Sequence, residues 1–164
     1  MKWIIPTLAL LMVVPAMASN LQPIRNHALA SVLGLGVELA QTSPTSGQPH
    51  MVRVYAAPDD IGECDGSVES CPDVHLYVSV SDGDLGETPT LFKLPAQKGW
   101  AFVRWIPPGN GNRRERMTGL VIRTTLPDSN IDPRARAAWH ARYYRILVDT
   151  SGGSYVEIPR RQAL

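Results

Sequence analysis

Residues 75–81 read His-Leu-Tyr-Val-Ser-Val-Ser, and their period of two is the strongest constraint anywhere in the chain. Leu76, Val78 and Val80 fall on one side of an extended backbone, and His75, Tyr77, Ser79 and Ser81 on the other. That is a strand with one face in a core, because a helix would not bring these three apolar side chains together. An acidic turn, Asp82-Gly83-Asp84, separates it from a second strand at 90–94 and a Trp-rich third at 100–106. The spacing predicts a meander on which an all-β fold can be built.

The rest of the chain repeats this grammar of short strands and Gly/Pro-rich turns. Leu35, Val37 and Leu39 alternate with Gly36 and Glu38, which favours a strand over 32–41. Two glycines would each cost a helix there about 1 kcal/mol. Val52, Val54 and Ala56 alternate in a strand over 51–57, completing a first hairpin across the Ser/Thr/Pro/Gly-rich run at 42–49. Further strands are expected at 117–126, 143–149 and 154–158. Between them, Asp132 is placed to cap a helical turn that has Pro133 in its first position. The expected fold is a single antiparallel β-sandwich of about eight strands with one short helical crossover and immunoglobulin-like or related topology, a closed barrel being the second choice.

Residues 1–18 stand apart. Lys2, an apolar run over 3–14 and Ala16-Met17-Ala18 have the form of a cleavable secretory signal peptide with cleavage before Ser19. The expected organisation is this leader, a flexible lead over 19–31, and the sandwich domain over 32–164. No later segment is apolar for long enough to span a bilayer as a helix, and the expected location is periplasmic or extracellular. The only two cysteines, Cys64 and Cys71, share one polar loop. In an oxidising compartment they read as a local disulfide. A zinc site would need further ligands beside them, and only His75 is near. By loop-closure entropy the bond contributes about 2.5 kcal/mol.

Sixteen Lys and Arg stand against fifteen Asp and Glu, and one of the cations is Lys2 in the leader. This balance argues against a nucleic-acid partner. The distribution is uneven. Residues 56–92 hold nine acidic residues and no Lys or Arg, whereas 93–164 hold thirteen basic and five acidic ones. Such asymmetry either serves a charged partner or is neutralised by the fold.

No motif for catalysis is evident. There is no Gly-x-Ser-x-Gly elbow, and the four histidines are scattered over a tail, a loop, a strand and a helix end. A non-catalytic protein is expected, without a cofactor unless it is calcium. For that ion Asp82, Asp84 and Glu87 offer the hard oxygen ligands it takes, although the same residues are ordinary turn formers. Trp100 and Trp105, five positions apart on one strand, are expected on opposite faces. One would lie in the core and one would be open to stack on a sugar or anchor an interface. Arg113, Arg114 and Arg116 make a basic run suited to an anionic partner or simply to solvent.

Ser151-Gly152-Gly153-Ser154-Tyr155 resembles the Ser-Gly-x-x-Tyr loop of bacterial periplasmic lysozyme inhibitors, small exported β-proteins that insert this loop into the lysozyme cleft. The resemblance covers five residues, and it implies that Ser151 reaches the catalytic acids, Gly152 permits a sharp bend and Tyr155 supports the loop. An ordinary hairpin would also use such a turn. The functional expectation is an inhibitor or immunity-type protein whose partner is a protein such as a cell-wall hydrolase. A carbohydrate- or peptidoglycan-binding module, or a structural part of an envelope assembly, is the alternative.

Overall fold

The computed structural model describes residues 19–21, 36–42, 47–58, 62–83, 88–108, 116–126 and 130–164. The leader, most of the lead and the expectations attached to Asp84, Glu87, Arg113 and Arg114 lie outside them.

In chain order the described strands are β1 (Ser19–Leu21), β2 (Val37–Gln41), β3 (Met51–Pro58), β4 (Val74–Ser81), β5 (Thr90–Lys93), β6 (Trp100–Ile106), β7 (Thr118–Thr124), β8 (Tyr143–Val148) and β9 (Gly153–Ile158). Two short helices, α1 (Pro133–Ala138) and α2 (Arg160–Ala163), complete the described elements. The strands form two antiparallel sheets, one ordered β2-β3-β4-β5 and the other β1-β9-β8-β7-β6. The fold is an all-β sandwich. No helix among the described residues is long and apolar enough to cross a membrane.

The alternation read from the sequence decides which faces meet. Leu76, Val78 and Val80 of β4 are fully buried beside Val52 and Val54 of β3 and Phe92 of β5, and they belong to the same cluster as Leu120, Ile122, Ile146 and Val148 of the other sheet. Each such side chain contributes about 1.5–3 kcal/mol by leaving water. Asp132 caps α1 as expected, its Oδ1 accepting from Arg134 N at 2.7 Å and Ala135 N at 3.4 Å.

A second apolar cluster lies on the far side of the five-stranded sheet. Val121, Tyr143 and Ile158 pack there with Ala163 of α2. Arg104 holds this C-terminal turn in place, Nε donating to Ala163 O at 2.9 Å and Nη2 to Gln162 O at 3.1 Å. Cations suit the free carbonyls at a helix end. A third cluster joins Cys64, Cys71 and Ile131, so the disulfide loop has a small core of its own.

The structure corrects four expectations. Ser19–Leu21 is not loose lead: it pairs with Gly153–Tyr155 of β9, and Leu21 is buried in the main core. Three residues stitched to a strand over 130 positions away leave no local pattern to read. The 75–105 stretch is not one meander, because β5 ends the four-stranded sheet and β6 begins an edge of the other. The topology is not immunoglobulin-like either, since β2–β5 and β6–β9 each pair strictly in sequence, as short connections favour. Finally, Trp100 and Trp105 share a face. The register of β6 on β7 shifts between Phe102 and Arg104, and this bulge adds one residue and so reverses the alternation. Both tryptophans pack on the main core, where Trp105 meets Phe102 with ring centroids 5.0 Å apart.

Candidate functional site

Four connections leave and re-enter the sandwich at one end, those joining β2 to β3, β4 to β5, β6 to β7 and β8 to β9. Side chains tie them to one another. Gln48 Nε2 donates to Ile106 O at 2.9 Å, Thr90 Oγ1 to Thr150 O at 2.9 Å, and His50 Nδ1 to Asp82 Oδ1 at 2.7 Å.

The β8–β9 connection is built by Asp149. Its Oδ1 accepts from Ser151 Oγ at 2.6 Å, from Ser151 N at 2.8 Å and from Gly152 N at 2.8 Å, while Asp149 N donates to Gly152 O at 2.9 Å. Aspartate is suited to this because its short side chain reaches the amides two and three residues ahead. Burial, the largest single influence on the Asp149 carboxyl, raises its pKa. The Ser151 hydroxyl, the Ser151 and Gly152 amides and the charge of His50 together outweigh it, and the group sits below the ordinary aspartate value. The loop tip is thus a pre-shaped element with exposed Ser151 on it.

Its two glycines differ. A Cβ on Gly153 would lie 3.0 Å from Val148 and 3.1 Å from Leu21, so a side chain there would press on both where β1 closes on β9. A Cβ on Gly152 would meet nothing within 4 Å, and Gly152 does not have a positive φ. The expectation that Gly152 is there for the sharp bend is therefore corrected. Neither backbone conformation nor space inside the fold calls for it. Tyr155 lies further into β9, half-buried against the core with its ring 6.3 Å from that of Tyr144. It anchors the strand that carries the loop and presents little surface of its own.

Asp82 and Arg116 reach the same end. Gly83 turns with φ +88°, a conformation that favours glycine, and this supports the turn-forming use of the acidic segment. The Asp82 carboxylate is engaged by His50. Among the described residues no group of three or more His, Cys, Asp or Glu converges on a point that would hold a metal. Arg116 is exposed and stands two residues before Thr118, which pairs with Val148 beside Asp149.

Comparison with family models, with curated proteins and with solved structures finds no match.

The opposite end carries different chemistry. Cys64 and Cys71 are disulfide-bonded, and Lys98 Nζ braces their loop by donating to Cys71 O at 2.7 Å and meeting Asp73 Oδ1 at 3.0 Å. Between this loop and α1 runs an open groove of about 460 Å³, lined by Gly66, Ser67, Val68 and Glu69 on one side and by Asp132, Ala135, Ala138 and Trp139 on the other. The Trp139 Nε1–H is buried with no acceptor among the described residues.

Reading residues singly missed Asp149, taken only as a strand end, although Asp-x-Ser-Gly is an Asx-turn signature. It also missed the groove and the His50–Asp82 link, whose partners lie 32 positions apart.

Proposed function

We propose that this is an exported, non-catalytic binding protein that blocks a cell-envelope enzyme such as a lysozyme, using the loops at the Ser151 end of the sandwich. The observation that carries the reading is Gly152. It sits on a loop tip held by Asp149, and the fold requires no glycine there. A glycine that the fold does not need is useful where another molecule's surface must approach the backbone closely. The resemblance of Ser151–Tyr155 to the inhibitor loop supplies the partner class, and Ser151, Asp82 and Arg116 at the same end supply polar contacts around it.

Residual activity of lysozymes of several classes, mixed with the purified protein, tests this. Inhibition that Gly152→Trp abolishes without lowering the melting temperature supports it. No inhibition of any class at large molar excess removes it.

The groove beside Trp139 favours a second reading, a carbohydrate- or peptidoglycan-binding module. An indole flanked by Ser67, Glu69 and Asp132 combines an apolar ring with hydroxyl and carboxylate partners for sugar hydroxyls. Co-sedimentation with cell-wall polymer, with and without chelator, separates this from enzyme inhibition.

A further inference from the structure

The basic residues of the C-terminal half are not neutralised by the fold on one of its faces. Across the outer side of the five-stranded sheet, Arg104 pairs with Val121 and Val121 with Arg145, which puts the two arginines in one row about two strand spacings, or 10 Å, apart. Arg123 lies two residues further along β7, next to Tyr143. Arg160 and Arg161 belong to α2, which rests on the same face through Ala163.

Arg123, Arg145, Arg160 and Arg161 are exposed, and none of their guanidiniums has an ion-pair or hydrogen-bond partner among the described residues. Arg104 spends its donors on two backbone carbonyls, which leave its charge uncancelled. No acidic side chain of the described residues stands among them. Glu157, the one carboxylate in β6–β9, alternates to the other side with Tyr155 and accepts from the Tyr144 hydroxyl.

We propose that this face docks on an anionic phospholipid surface, the four exposed guanidiniums contacting lipid phosphates and the Arg104 charge adding to the field behind them. All five are arginine, whose planar fork matches phosphate oxygens in pairs. The face is a sheet carrying one short helix, broad rather than cleft-like. The Ser151 loop joins two interior strands of this sheet at their ends, so docking through the outer face does not cover the strand-end loops.

The test is co-sedimentation of the purified protein with vesicles of phosphatidylglycerol and phosphatidylcholine, against vesicles of phosphatidylcholine alone. Binding to the anionic vesicles at low salt, released by high salt and absent from the neutral ones, is expected. A cation near such a surface is worth about fivefold in partition. Arg123→Ser with Arg145→Ser should therefore weaken binding roughly 25-fold, and Arg160→Ser with Arg161→Ser by a similar factor, with melting unchanged in both. Glycerol phosphate at concentrations matching the lipid phosphate should not compete, because the site is a surface rather than a single phosphate pocket. Undiminished binding by both double variants overturns the proposal. So do failure to sediment with anionic vesicles, displacement by glycerol phosphate, and binding to polyglutamate in place of vesicles, which would mark an acidic protein as the partner.

Discussion

Asp149 holds Ser151 twice through one oxygen, accepting from its hydroxyl at 2.6 Å and from its amide at 2.8 Å. The same oxygen accepts from Gly152 N at 2.8 Å, so one carboxylate shapes the tip of the β8–β9 connection. Asp149→Ala removes all three bonds. With water able to replace part of what is lost, the expected cost is about 1–2 kcal/mol in urea unfolding. Lysozyme inhibition should fall further than this stability loss explains, because the variant must order the loop on binding.

The same carboxylate makes a pH signature. Its folded pKa lies below the ordinary value, so its contribution to stability is fully present above the unfolded value of about 3.9 and is lost as pH falls through the folded one. The stability difference between the protein and Asp149→Asn should be present at about pH 5 and shrink in stronger acid as the carboxylate is protonated. Urea unfolding of the pair across that range measures it. A difference that grew as pH fell below about 4 would contradict the assignment.

The adjacent glycines should separate fold from function. Gly153→Ala places a methyl 3.0–3.2 Å from Val148, Leu21 and the Leu147 carbonyl, and should cost about 1–3 kcal/mol while loosening β1. Gly152→Ala meets nothing within 4 Å and should leave stability unchanged or raise it by a few tenths of a kcal/mol. Thermal melting of the two variants beside the parent distinguishes these outcomes.

Cys64→Ser with Cys71→Ser should destabilise by about 2.5 kcal/mol, from the closed loop alone. The effect should concentrate at one end, because the disulfide packs with Ile131 in a cluster separate from the main core. Amide exchange should quicken for residues 62–73 and α1, while Val78 and Ile146 keep their protection. Equal loss across the core would mean the loop supports the whole sandwich.

Much of the fold was legible in the chain because period-two alternation is a local property. Val52, Val54, Leu76, Val78 and Val80 face inward as their spacing demands, and Asp132-Pro133 starts a helix where its chemistry says it must. The candidate loop was legible as a motif, and the asymmetry of charge could be counted. What the chain could not show by itself was every relation depending on long-range register. A bulge of one residue turns Trp105 inward beside Trp100, and three residues at 19–21 find their place only against β9. The role of Gly152 rests on the emptiness around it, and the basic face on strands that set Arg104, Arg123 and Arg145 side by side without a carboxylate among them. Alternation says which way a side chain points relative to its neighbours in sequence. Only the pairing of strands, set by burial of the whole core, says what it points at.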